Sequence, residues 1–229
     1  MSNNKNILNI AKSVITIEKN AISQLESQLT NDFVEAVQLI FSSKGRVIVA
    51  GVGKSANIAN KMVATFNSTG QPAVFLHAAD AIHGDLGNIQ KDDVVICISK
   101  SGNTEEIKYL LPLIKDLGNK IISICGNSNS YLAKESNLFL DSTVEKEACP
   151  NNLAPTSSTT AQLVLGDALA VCLLKLNNFS DNDFARFHPG GSLGKRLFLK
   201  VSDLLSDFSK PIVSPTDSIN SVIVEISNK

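Results

Sequence analysis

A chain of 229 residues, with 43% hydrophobic residues and 21 Lys+Arg against 22 Asp+Glu, is long enough for one α/β domain of ordinary size plus a fragment. The near-balanced charge gives no electrostatic case for nucleic acid or an anionic membrane. No apolar run approaches the roughly 20 residues of a membrane span, and Met1-Ser2-Asn3-Asn4-Lys5 leads into an amphipathic stretch rather than a signal peptide. Four scattered cysteines, Cys97, Cys125, Cys149 and Cys172, form no C-x-x-C pair and read as reduced thiols of a cytoplasmic protein.

Ile7, Ile10, Ala11, Val14, Ile17, Ala21, Leu25 and Leu29 recur at three- and four-residue spacing, which predicts a long helix with one apolar stripe. Asn31 can cap a second helix with Phe33, Val34, Val37, Ile40 and Phe41 on its buried side. Short apolar runs then alternate with helical patterns. Strands are expected at 46–50, 73–76, 93–98, 120–125 and 137–140, and helices at 54–68, 103–117, about 130–135 and Ser157–Leu176. Val- and Ile-rich runs without polar alternation indicate strands covered on both faces, hence a parallel sheet. The fold class is α/β: a doubly wound, three-layer α/β/α sandwich around a parallel sheet, preceded by N-terminal helices. Ligands of such sheets bind outside the carboxyl ends of the strands. Past the last long helix, 183–196 holds the turn His188-Pro189-Gly190-Gly191. Composition shifts after about Phe198, and Val201–Leu205 followed by Pro211–Ile219 looks like the opening of another module.

The apolar run 46–50 ends in Gly51-Val52-Gly53-Lys54-Ser55, a place where backbone N–H groups, a hydroxyl and an ammonium can meet a small anion. It is no Walker A loop, because the required first glycine position is Ile48. Nor does it complete a dinucleotide fingerprint, since the second strand ends Phe75-Leu76-His77 without the ribose-binding acid. A second strand runs into Ser99-Lys100-Ser101-Gly102-Asn103-Thr104-Glu105-Glu106. Its hydroxyls, glycine and fresh helix N–H groups make a neutral phosphate cradle, richer than the single polar residue that capping needs. Thr156-Ser157-Ser158-Thr159 is a weaker case of the same kind. The three histidines, His77, His83 and His188, all lie beside turns. His77 and His83, with Asp80 and Asp85 nearby, could make a weak metal site, but their spacing is that of no known zinc motif. Glu106 follows the serine loop, and Glu145 and Glu147 lie just past a strand end, where a Glu-x-Glu run is ordinarily a solvated face.

Taken together, Gly51–Ser55, His83-Gly84-Asp85-Leu86-Gly87, Ser99–Gly102, Glu145–Pro150, Leu153–Ser158 and His188–Gly191 resemble the D-arabinose-5-phosphate isomerases of the sugar isomerase (SIS) superfamily, over about residues 7–200. The resemblance implies a five-stranded parallel sheet and interconversion of D-ribulose 5-phosphate and D-arabinose 5-phosphate. That step feeds synthesis of Kdo, a sugar of lipopolysaccharide and some capsules. It implies a homotetramer that shares active sites between subunits, no required cofactor, and two CBS modules after the isomerase domain. Residues 1–199 would be that domain, and 200–229 a linker with the incomplete start of a CBS module. By motif position, the resemblance ties Lys54, Glu106, Glu147 and His188 to catalysis. It ties Ser55, Gly70, Gln71, His77, His83, Ser99, Ser101, Thr104, Thr156, Ser157 and Ser158 to substrate. His77 matches a position that can take zinc, where the metal would be inhibitory or incidental. The sequence departs from the family's common pattern at Ala56, Asn57, Ala78 and Asp80.

The chemistry expected is aldose–ketose isomerisation through a cis-enediol, with the base among Glu106, Glu147 and His188. A glutamate base would need a raised pKa, whereas an imidazole needs little shift, so His188 is expected to move the carbon-bound proton and a Glu to serve the oxygens. Lys54 would stabilise the enediolate. Two other readings stay open: a different phosphosugar isomerase, and a phosphosugar-sensing module without catalysis. The absence of a helix-turn-helix pattern or basic patch before the sheet weighs against the latter.

Overall fold

The structure is a computed structural model and describes residues 2–191, 197 and 212–227. The chain divides into two compact units, Met1–Phe179 and Ser180–Lys229. The domain boundary expected at 199/200 and the segment 201–205 lie outside the described residues.

The first unit runs α1 (Ser2–Gln28), α2 (Asn31–Ser42), β1 (Val47–Gly51), α3 (Gly53–Ser68), β2 (Ala73–His77), α4 (Ala78–Ala81), a 3-10 turn (Asp85–Asn88), β3 (Val94–Ser99), α5 (Glu105–Asp116), β4 (Lys120–Cys125), α6 (Tyr131–Glu135), β5 (Leu138–Asp141) and α7 (Ser157–Leu176). The strands form one parallel sheet of order β2-β1-β3-β4-β5. Alternate side chains of each strand go to opposite faces. Val47, Val49, Val94, Ile96, Ile98, Ile122 and Ile124 pack with α2, α3 and α7. Ile48, Ala50, Val95, Cys97 and Ile121 pack with α4, α5 and α6. Both faces are therefore apolar, which is why the strands carry no polar alternation.

Two expectations for the N-terminal helices change. Of the α1 stripe, Ala21 and Leu25 are buried, whereas Ile7, Ile10 and Leu29 are exposed. Among the described residues, the core that α1 packs on lies along its C-terminal half. Thr30, not Asn31, occupies the cap position of α2, and Asn31 instead donates to Glu35. Asp32 one position on accepts the Phe139 N–H at 2.9 Å, pinning α2 to β5. Val37 and Ile40 are buried as expected, but Val34 and Phe41 are exposed.

The helix α7 is long and apolar enough to cross a bilayer by length and composition, although Gln162, Asp167 and Lys175 interrupt its apolar run. Here Ala161, Leu165, Leu169 and Leu173 are buried in the core, and its Asp167 pairs with Lys61 of α3.

In the second unit, α8 (Asp181–Phe187) opens on a capping box: Ser180 Oγ accepts the Asp183 N–H, and Asp183 accepts the Ser180 N–H at 3.0 Å. A later helix, α9, spans Ile219–Ser227.

Candidate active site

The strand order reverses at β1: its neighbours are β2 and β3, and α3 and α5 leave toward opposite faces of the sheet. That divergence opens a crevice at the carboxyl ends of β1 and β3. A cleft of about 300 Å³ lies there, lined by Lys54 and Ser55 of α3, by Ser99, Lys100, Ser101 and Thr104 of the serine loop, and by Ser158 and Thr159 of α7.

Each wall follows from local chemistry. Gly53 has φ +59°, a backbone state that costs an L-residue strain and glycine nothing, and α3 can therefore begin directly at the strand end. It presents Lys54 exposed and Ser55 buried. Among the described residues no ion pair holds Lys54. Ser55 Oγ donates to Gln162 Oε1 at 3.4 Å, and the fully buried Gln162 leaves its Nε2 without a partner among the described residues. In the serine loop, Ser99 Oγ lies 2.9 Å from Thr104 Oγ1 and accepts the Gly102 N–H at 3.1 Å. Gly102 has φ +65°, and a Cβ there would clash with the Ser130 side chain. The loop thus packs against the start of α6, where Asn103 also accepts the Tyr131 N–H.

Glu147 sits behind this cleft with its side chain wholly buried. Oε2 accepts the N–H groups of Thr156 and Ser158 at 2.8 and 3.2 Å, and Oε1 accepts the Ser158 hydroxyl at 2.6 Å. Lys100 Nζ lies 2.8 Å from Oε1. Burial opposes ionisation, but Lys100, the Ser158 hydroxyl and the two N–H groups outweigh it and hold the carboxyl at about 2. The raised pKa expected of a glutamate base is therefore not set here; the donors of the α7 N-terminus act in the other direction. The hydroxyl-rich start of α7 is also not an open anion cradle, since Glu147 already takes the N–H groups of Thr156 and Ser158 and both of their hydroxyls.

Residues 39–172 match the SIS domain family. Arabinose 5-phosphate isomerase KdsD of Pseudomonas aeruginosa is 49% identical over 230 residues, covering 100% of this chain and 71% of that protein. Its Francisella tularensis counterpart is 50% identical over 226 residues, covering 97% and 69%. The chain belongs to the SIS-domain arabinose 5-phosphate isomerases. An Escherichia coli CFT073 protein solved in complex with arabinose 5-phosphate superposes with a TM-score of 0.79 at 41% identity, over 81% of this chain and 99% of that one. The chain spans 62–71% of the length of the curated relatives it matches.

Within this isomerase chain the expected site residues do not all meet. Lys54, Ser55, Ser99, Ser101, Thr104 and Ser158 line one cleft, with Glu147 and Thr156 behind it. Ser157 is buried, and among the described residues its hydroxyl has no partner. Glu106 stands half-buried in the first turn of α5. His77 ends β2, 3.5 Å from Asp80, and its buried Nδ1 makes no hydrogen bond among the described residues. His83 is exposed. Among the described residues no three His, Cys, Asp or Glu side chains gather as a metal site around either. Gly70 and Gln71 precede β2 and so lie at the amino end of the strand, away from this cleft within the chain; Gly70 packs on the Phe179 ring. His188 belongs to the second unit, where its Nδ1 lies 2.8 Å from Phe184 O and its ring stacks on Phe184 at 3.9 Å.

Three residues of this neighbourhood escaped the sequence reading. Lys100 makes the serine loop cationic rather than neutral, a signal present in the motif Ser99-Lys100-Ser101. Gln162 anchors Ser55 from α7. Asn152, at φ +54°, accepts the Glu147 N–H at 2.8 Å. Neither of the last two carries a local sequence signal, because each acts on a partner brought in by folding.

Proposed function

We propose that this chain interconverts D-ribulose 5-phosphate and D-arabinose 5-phosphate through a cis-enediol. The observation that carries this reading is the cleft at the carboxyl ends of β1 and β3, lined by serine and threonine residues at the start of α5 and by Lys54, which no ion pair holds among the described residues. Hydroxyls and helix N–H groups suit a phosphate, and binding that remote group positions the reacting carbons.

In the ketose-to-aldose direction, a base takes a proton from C1, the C2 oxygen is protonated, and the enediol forms. Reprotonation at C2 and loss of the O1 proton give the aldose. Lys54 stabilises the negative charge that develops on oxygen. Glu147, held as a carboxylate at about 2, is a weak base for carbon acids. His188 is therefore assigned the carbon-bound proton, and Glu106 and Glu147 the oxygens. Proton transfer in this scheme needs no cofactor, and a zinc ion at His77 would be inhibitory or incidental. The family's relation to Kdo synthesis, a cytoplasmic location and a CBS module opening near residue 200 belong to the same reading. So does a homotetramer, for which the exposed Ile7, Leu8, Ile10 and Ile15 of α1 offer an apolar surface.

Incubation with D-ribulose 5-phosphate in D2O, followed by NMR, tests the proposal. The expected result is D-arabinose 5-phosphate carrying deuterium at C2. Tight binding without turnover would favour a sensor, and a different aldose another isomerase. Lys54→Ala should lower kcat by about 10²–10³ with a much smaller change in KM. His188→Ala should abolish exchange at C2; exchange at the parent rate would remove His188 as the base.

A further inference from the structure

Glu147 poses a problem of access. Its side chain has no exposed surface, and the two groups that cover Oε1, the Lys100 ammonium and the Ser158 hydroxyl, are themselves walls of the cleft. Ser158 is buried on α7 and fixed. Lys100 is different: its side chain is 44% exposed, and among the described residues its ammonium has no partner but Glu147. It also stands in sequence between Ser99 and Ser101, which line the cleft with it. A flexible ammonium is a mobile point charge, and a phosphate monoester carries about −1.5 to −2 charge at neutral pH, more than a carboxylate offers.

We propose that Lys100 is a positioning residue that works as a phosphate-released latch. In the free protein its ammonium closes Glu147 behind the cleft wall; the phosphate of the bound sugar draws the ammonium to the serine loop and opens the carboxylate to the cleft. The inference rests on the reading that this cleft takes a phosphosugar. It makes Glu147 and phosphate competitors for one cation.

Two experiments test it. The first is calorimetric binding of inorganic phosphate, at constant ionic strength, to the parent, Lys100→Met, Glu147→Gln and the double variant. Glu147→Gln should bind phosphate about tenfold tighter, the scale of one charge-assisted hydrogen bond. Lys100→Met should bind it more weakly, and the double variant no more tightly than Lys100→Met. Equal tightening by Glu147→Gln with and without Lys100 would overturn the latch, because it would then be plain removal of a nearby negative charge. The second uses D-ribulose, which lacks the phosphate. Lys100→Met should turn it over several-fold faster than the parent, and added inorganic phosphate should accelerate the parent alone. A variant no faster than the parent would overturn the latch, since loss of an ordinary phosphate ligand cannot speed a substrate that has no phosphate. Should Glu147→Gln fail to fold, the second experiment decides. Should the parent isomerise nothing, the functional reading falls and the binding cycle still decides the latch.

Discussion

At the amino end of the sheet Asp93 is a buried carboxylate that accepts the Arg46 N–H at 2.7 Å, the Gln90 N–H at 2.9 Å and the Arg46 guanidinium at 2.8 Å. At the carboxyl end Glu147 is a buried carboxylate held by two N–H groups, two hydroxyls and the Lys100 ammonium. For both, burial opposes ionisation and the donors outweigh it, so both carboxyls titrate below their ordinary range. The difference lies in the cation. Arg46 grips Asp93 with side chain and backbone at the mouth of paired strands β1 and β3, whose register begins at Val47↔Val94. A planar fork bound that way has one geometry. Lys100 is a point charge on a flexible stem beside an open cleft. One arrangement closes a structure, and the other puts a flexible ammonium between a buried carboxylate and the cleft.

Substitutions can break that comparison. Glu147→Gln should lower kcat for D-ribulose 5-phosphate by about 10²–10⁴, the range of a lost acid–base group, while Asp93→Asn leaves kcat of the folded protein unchanged. Steady-state kinetics on both variants decides, and equal losses would end the distinction. Asp93→Ala should cost about 2–3 kcal/mol of stability in urea unfolding, because it strands the donors of Arg46 and Gln90.

Acid separates the two ends further. A carboxyl whose folded pKa is depressed stabilises the protein above its unfolded value and loses that contribution as pH falls toward the folded one. For Glu147 the window runs from 4.5 down to about 2, and for Asp93 it lies below 3.8. Unfolding free energy should therefore fall as pH drops from about 5 to 2.5. Lys100→Met should flatten the Glu147 share of that slope only in part, because an ammonium so exposed is screened by solvent and the α7 donors remain. Arg46→Lys should give the smallest effect, about 1 kcal/mol, by turning the fork at Asp93 into a point charge like that at Glu147. Urea midpoints across pH measure both.

The comparison also marks what could be read without coordinates. The strands and the main helices fall within a residue or two of their expected places, since their apolar runs and turn residues are local signals. The serine loop and Lys54 were legible for the same reason: strand, polar loop and helix start are contiguous in sequence. The environment of Glu147 was not. Glu145 and Glu147 look alike in the run 144–150, yet Glu145 is exposed and Glu147 is buried. Nothing local says that one of them will meet Ser158, eleven residues on, and Lys100 from another strand end.

The sequence by itself determined the three-layer parallel fold, the family, and the cleft's hydroxyls and lysine, because hydrophobic period and turn chemistry act over a few residues. Only the tertiary structure decided which carboxylate is buried, which cation holds it and in which direction its pKa moves. Those depend on distances between segments some 50 residues apart, here the serine loop at 99–104 and the loop at 147–158; the hydrogen bonds that set them are lost within a few ångströms of separation and the Coulomb attraction is screened over about 10 Å.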